Sequence, residues 1–268
     1  MMNSKVKQKG FTLLELITVI IILGVLATSV SSFLRYGIEA FTNATDREEL
    51  ISSARFAIER LNREVRNALP NSLRTLGASG QCLEFTPISQ SVIYLDIPVA
   101  PEPVSDNVQY LMSKGTLEST VKYVAVYALN SNDIYNKTSG VIEEILSITP
   151  SGSKSAPSTV TLKNQIVFKA ESPTARMFFI DQPVAYCIEV DKLYRYKGYG
   201  YSGSNLPIYT GSNRALMAEY LDYSAGEVPF KTTDATLSRN SIAFIELVFT
   251  RNLEKISFNN DIQVPNVP

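Results

Sequence analysis

Lys9-Gly10-Phe11-Thr12-Leu13-Leu14-Glu15 opens an apolar run that continues to Val30, and the reading of the whole chain turns on it. Phe11 to Val30 is about twenty residues, enough for a helix to cross a hydrocarbon core of ~30 Å at ~1.5 Å per residue. Glu15 is the one residue in the run that lipid opposes. A carboxylate in a transmembrane helix costs on the order of 2.5–3.5 kcal/mol at the centre by insertion scales. Such a residue marks a partner, and its natural partner is a positive charge at the same depth.

On the amino-terminal side, Lys5, Lys7 and Lys9 precede the apolar run. By the positive-inside rule they leave this end in the cytoplasm and send the rest of the chain outward. In this order the three lysines and Gly10-Phe11-Thr12-Leu13-Leu14-Glu15 resemble the prepilin leader of type IV pilins and type II secretion pseudopilins. The resemblance implies that a prepilin peptidase in the membrane cuts between Gly10 and Phe11 and methylates the new amino terminus, that of Phe11. It implies also that Glu15 pairs with the cationic terminal amine of a neighbouring subunit during assembly. Two buried charges, each costly alone, would then set the axial register of adjacent helices. Two other readings compete. Ala27-Thr28-Ser29 has the small-x-small form of a secretory cleavage site, and the helix could be a plain anchor. An acidic residue inside the apolar region is unusual for a secretory signal.

On the carboxyl-terminal side the helical pattern continues past the membrane. No proline occurs between Phe11 and Leu69, and Leu50, Ala54, Ala57, Ile58, Leu61, Val65 and Leu69 recur at helical spacing. Charges of alternating sign fill the other face, with Glu59 and Arg63 placed as an i,i+4 pair. Pro70 is expected to close the helix, while Gly37 and Thr42-Asn43-Ala44-Thr45 are candidates to bend or interrupt it. Four segments follow: a leader over 1–10, a transmembrane and assembly helix over 11–33, an amphipathic helix over 34–69 and a globular domain over 70–268.

Beyond Pro70 the period changes to two. Cys82–Phe85, Val92–Leu95, Val121–Tyr127, Val141–Ile148, Val160–Leu162, Ile166–Phe168, Met177–Ile180 and Val184–Val190 read as strands. Leu193–Tyr196 pairs with the last of these in a hairpin through Asp191-Lys192. Ile242–Phe249 and Ile256–Phe258 supply a final pair, and Arg214–Leu221 is the one later stretch with a helical look. Pro98–Pro103 and Ser151–Ser158 read as loops. The fold class is therefore α+β, with a long amino-terminal helix packed on an antiparallel β-rich domain. That layout is the one the pilin resemblance implies.

Composition sets bounds on function. The chain has 268 residues, 45% hydrophobic and 19% charged, with a net charge of −1. Loss of the leader lysines leaves 22 basic against 26 acidic side chains, a balance that gives nucleic acid no general attraction. There is no histidine and no tryptophan, so the commonest general base and the commonest zinc ligand are missing. The two cysteines, Cys82 and Cys187, are most simply one disulfide in an exported domain; the alternative is two separate buried thiols.

Further blocks narrow the resemblance. Ala57–Leu61, Arg66–Ser72, Gln81–Phe85, Arg176–Cys187, Leu193–Tyr196 and Val264–Pro268 resemble the MshO-type minor pilins of the mannose-sensitive haemagglutinin (MSHA) pilus. The absence of a helix-bending proline at Ser32 also favours a minor member over a main filament subunit. What the resemblance implies is a minor pilin acting in the initiation and assembly of a pilus used for surface attachment, in its tip complex. Its partners would be other minor pilins, major pilin subunits, the prepilin peptidase and the inner-membrane assembly platform. It would sit in the bacterial inner membrane as a single-pass protein with its domain in the periplasm, then reach the pilus at the cell surface. J-type pseudopilins of type II secretion systems share the layout and are the alternative.

Enzymatic chemistry finds little to stand on. Gly198-Tyr-Gly-Tyr-Ser-Gly203 has the G-x-G-x-x-G form, yet Ser-Asn-Leu-Pro-Ile-Tyr follows where a dinucleotide site needs a helix, so it reads as a glycine-rich loop. Glu143-Glu144 and the scattered aspartates lack EF-hand spacing and read as solvated charge. No cofactor, metal or nucleic-acid partner is expected, and the chain is not read as an enzyme. Tyr194, Tyr196, Tyr199, Tyr201 and Tyr209 support a further hypothesis, a tip adhesin binding a surface or glycan, because tyrosine joins flat apolar area to a polar tip.

Overall fold

The computed structural model describes residues 10–77, 79–111, 121–136, 139–151, 156–201, 213–223, 227–234, 239–252 and 254–265. The chain divides into two compact units, Met1–Glu49 and Leu50–Pro268. Helix α1, Leu13–Arg66, is a single run of 54 residues. Its assignment continues through Gly37 and Thr42–Thr45, where a bend was expected. The Thr42 and Thr45 hydroxyls donate to the carbonyls of Ile38 and Phe41, so these side chains satisfy themselves on their own helix.

In the second unit, Leu50, Ala54, Ala57, Leu61 and Val65 are buried along one face of α1. They join Leu83, Phe85, Tyr186, Ile188, Leu193, Ala243, Ile245, Leu247 and Ile262 in the largest core. Helix α1 ends at Arg66, short of Leu69, because the next residues are taken by the sheet. Asn67 Nδ2 donates to the Ile88 carbonyl and the Leu69 N–H donates to the Thr86 carbonyl. Among the described residues the helix forms Arg60–Glu64 at 3.0 Å in place of the expected Glu59–Arg63 pair. Glu64 also receives Arg195 at 2.8 Å, tying the helix to the sheet.

Two antiparallel sheets carry this core. The first has β1 (Arg74–Leu76), β2 (Cys82–Phe85), β9 (Val184–Glu189), β10 (Lys192–Lys197) and β11 (Arg214–Ala218), in the order β1-β2-β9-β10-β11. The second is β12 (Phe230–Thr233), β13 (Ser241–Arg251) and β14 (Glu254–Val264), in chain order. Gly80, at φ +62°, lets the β1–β2 turn approach β12, since a Cβ there would lie 2.6 Å from the Phe230 carbonyl oxygen. The β9–β10 turn is formed by Val190-Asp191 rather than Asp191-Lys192, because Lys192 pairs with Glu189.

Between β2 and β9 the chain makes an excursion that sequence periodicity does not reveal. Strands β3 (Ile88–Asp96), β4 (Ser105–Leu111), β5 (Tyr123–Val126), β6 (Ile142–Thr149), β7 (Ser158–Ile166) and β8 (Arg176–Ile180) close into a barrel in the order β3-β4-β7-β6-β5-β8. Its interior holds Val92, Tyr94, Val108, Tyr110, Val160 and Phe179, with Tyr110 and Phe179 edge to face at 5.2 Å. A smaller core forms outside it, where Tyr123, Ala125, Phe178 and Ile180 meet Leu69 and the short helix α2 (Ser131–Tyr135).

Arg214–Leu221 corrects the helical expectation. Arg, Ala, Leu, Met and Glu are good helix formers, but the segment is β11 over Arg214–Ala218 and pairs antiparallel with β10. Burial of Met217 and Ala218 in the main core outweighs a local preference worth tenths of a kcal/mol per residue.

Candidate functional site

The amino-terminal segment is built around one capping arrangement. Thr12 lies just outside α1, and its carbonyl accepts the Leu16 N–H at 3.3 Å. Its Oγ1 accepts the Glu15 N–H at 3.3 Å and lies 3.5 Å from Glu15 Oε2, to which it donates. Thr12-Leu-Leu-Glu15 is therefore a capping box variant, with the hydroxyl rather than the Thr12 backbone N–H meeting the acid. A carboxylate in the first turn also suits the positive end of the helix. Glu15 thus has a local role that the sequence reading did not weigh, although Thr-x-x-Glu before an apolar run could have disclosed it.

Gly10 is exposed ahead of the helix and Phe11 is 82% exposed. From Leu16 to Leu34 no side chain is ionisable, and the most apolar 18-residue window of α1 has a mean hydropathy of 2.5 and is not buried in the protein. Leu14, Ile20, Ile21, Leu23, Val25 and Val30 all face outward. The hydroxyls of Thr18, Thr28 and Ser29 donate to carbonyls of their own helix, at Glu15 and Val25. Glu15 is the one ionisable side chain between Lys9 and Arg35. Lys5, Lys7 and Lys9 lie outside the described residues.

Cys82 and Cys187 are directly opposite one another on β2 and β9 and form a disulfide, with Cα atoms 4.1 Å apart. This pair lies three residues from the point where the chain leaves the sheet, after Phe85, and returns to it, at Val184.

The tyrosines divide. Tyr196 is buried beside the disulfide, and Arg214 lies over the Tyr194 ring at 4.6 Å. Tyr199 donates to Glu84 Oε1 at 2.7 Å, and Tyr201 donates to the Asp181 carbonyl at 2.9 Å while meeting Tyr123 edge to face. Glu84 is fully buried and ion-paired with Arg74, whose guanidinium lies 3.5 Å from the centre of the Tyr135 ring. Burial pushes the Glu84 carboxyl above its ordinary range, with Arg74 and Tyr199 offsetting this in part. These side chains join the sheet to the barrel and α2, so Tyr199 and Tyr201 serve packing. Tyr209 lies outside the described residues, as do Ser202 and Gly203 of the glycine-rich stretch. The described part of that stretch, Gly198–Tyr201, follows β10 as an irregular segment.

A family model, the prokaryotic N-terminal methylation motif, matches residues 5–31, a span that includes Gly10, Phe11 and Glu15. No curated protein and no solved structure matches the chain. The motif and the exposed apolar helix support a type IV pilin-like protein, anchored as a single-pass membrane component of the kind that a peptidase processes.

Proposed function

We propose that the chain is a minor pilin that works in the initiation and assembly of an MSHA-type type IV pilus, as part of its tip complex. The observation that carries this reading is the amino-terminal segment, where an exposed Phe11 and an acid at Glu15 head an apolar helix with no other charge before Arg35. In this reading the peptidase cuts between Gly10 and Phe11, Phe11 is methylated, and its cationic amine meets Glu15 of a neighbour. The charge pair then offsets the cost of holding either charge in lipid. The β-rich domain, in the periplasm until assembly, selects partners among other minor pilins and the major subunit. The activity is assembly, without enzymatic turnover or cofactor.

Sequencing the amino terminus of the mature protein from membranes tests the processing step. A chain beginning at methylated Phe11 supports it, and one beginning after Ser29 removes it. The choice between a pilus and the J-type pseudopilin of a type II secretion system is tested by deletion in the host. Loss of surface fibres with secretion intact supports the pilus, and loss of secretion with fibres intact supports the pseudopilin.

A further inference from the structure

The outer edge of β14 is the longest open strand edge among the described residues. Which of its backbone groups point outward follows from its neighbours. Glu246 N–H donates to the Pro229 carbonyl, Thr250 N–H donates to the Tyr220 carbonyl, and the Val248 carbonyl accepts the Asp222 N–H. Even-numbered residues of β13 therefore turn their backbone groups away from β14. Ile245, Leu247 and Phe249 turn toward it, opposite Asn260, Phe258 and Ile256. Alternation then directs the N–H and C=O groups of Lys255, Ser257, Asn259, Asp261 and Gln263 at the outer edge. Among the described residues no strand pairs with them.

Long edges are commonly blunted by proline, a bulge or charge. The 11 residues of β14 contain no proline, and the β13–β14 ladder runs from Arg251↔Glu254 to Ser241↔Val264 without a register shift. Ladders of the barrel, by contrast, shift at β3–β4, β4–β7 and β6–β7. Of the charges beside the edge, Lys255 is held by Asp222 at 3.1 Å, and Asp261 makes no ion pair among the described residues. A groove of 240 Å³ adjoins it, lined by Lys231, Phe244, Glu246, Asn259 and Asp261 among others. Phe244 lies directly across from Asp261, one strand in from the edge.

We propose that β14 is a strand-addition site, which takes an extended segment of a different subunit carrying lysine or arginine opposite Asp261. The added strand completes the ladder through the five outward-facing residues. Its basic side chain meets the Asp261 carboxylate on the exposed face of the sheet. A second copy of this chain is the poorer occupant, because the only basic residue on its own β14 is Lys255, already held by Asp222. The proposal rests on the assembly role above and names the surface through which the domain takes a partner.

Amide hydrogen exchange on the full-length chain tests it, comparing the isolated protein in detergent with the same protein in complexes purified from its host. In the complexes, the amides of Lys255, Ser257, Asn259, Asp261 and Gln263 should exchange at least ~100-fold more slowly than in the isolated chain. Asn259→Pro removes an outward N–H and no bond to β13, so it should abolish the slowing without changing Tm. Asp261→Lys should lower recovery of the chain in complexes by about tenfold, as expected for a lost charge pair of ~1.4 kcal/mol. Outward amides that stay fast in a complex holding the chain overturn the proposal, as do amides already slow in the monomer. Slowing that accompanies a homodimer of the isolated chain overturns the choice of a different subunit. Failure to recover the chain with any other subunit overturns the assembly role itself, and is read separately from the exchange rates.

Discussion

Glu15 meets Thr12 in the cap of its own helix and, in the proposed assembly, binds a neighbour's amine, and substitution separates the two. Glutamine keeps an oxygen for Thr12 and is tolerated in a capping box, whereas alanine removes cap and charge together. If charge governs assembly, Glu15→Gln and Glu15→Ala should both be cleaved at Gly10–Phe11 and both lose surface fibres to a similar degree. Immunoblots of sheared fibres, with the mature amino terminus sequenced alongside, measure this; a Gln variant with normal fibres would leave Glu15 only its cap. Glu84 is a second residue whose charge has consequences. The folded state raises its pKa, so the native protein holds this proton more tightly than the unfolded chain does. The sign follows: stability is highest below the unfolded value of about 4.3 and falls as pH rises through the raised native value. Relative to Glu84→Gln, the unmodified protein should gain Tm as pH is lowered from 7 toward about 4, and a pH-independent difference would contradict the shift. Arg74→Ala strands the Glu84 carboxylate in the interior. At neutral pH it should cost about 3–5 kcal/mol, shrinking in acid as the carboxyl becomes neutral.

Among the elements, the half of α1 that enters the second unit shows most directly how sequence becomes packing. Leu50, Ala54, Ala57, Leu61 and Val65 recur at helical spacing, and all five are buried. Alanine at 54 and 57 keeps the buried stripe shallow, while Leu61 fills space. Leu61→Ala should therefore lose about 2–5 kcal/mol, and Ala57→Leu about 1–3 kcal/mol from overpacking. Urea unfolding followed by tyrosine fluorescence, available because the chain lacks tryptophan, measures both. A neutral Ala57→Leu would mean that the sheets can move away from the helix. The strands were legible in proportion to their apolar content. Tyr123–Val126 and Val184–Glu189, nearly continuous apolar runs, are strands where periodicity places them. Ser105–Leu111 offers only Val108 and Tyr110 to the interior, too little alternation to be read. Arg214–Ala218 carries helix-forming residues, and its strand state comes from β10 beside it, which local sequence does not contain.

For the molecule as a whole, the amino-terminal segment was legible because its signal is local: the lysines, Gly10-Phe11, Glu15 and the apolar run to Val30 lie within residues 5–31, the span of the methylation motif. The barrel was not, because alternation tells which face a strand buries and not which strand lies beside it. Cys82–Cys187 joins two neighbouring strands of the first sheet, where β2 pairs with β9, and so closes a separation of 105 residues that contains the whole barrel. In the chain-entropy view, a loop of that size gives about 4–5 kcal/mol to the folded state. The enclosed residues form a closed ladder with an interior of their own, so the barrel can stay folded when the clasp opens. Reduction should then split one cooperative unfolding step into two. The amides of β2, β9 and β10 should lose exchange protection first, while those of β3, β7 and β8 keep theirs. Hydrogen exchange under reducing conditions, repeated on a Cys82→Ser, Cys187→Ser double variant, distinguishes the outcomes. Simultaneous loss of protection in both groups would mean that the joint formed by Arg74, Glu84, Tyr135, Tyr199 and Tyr201 keeps sheet and barrel one cooperative unit without the disulfide.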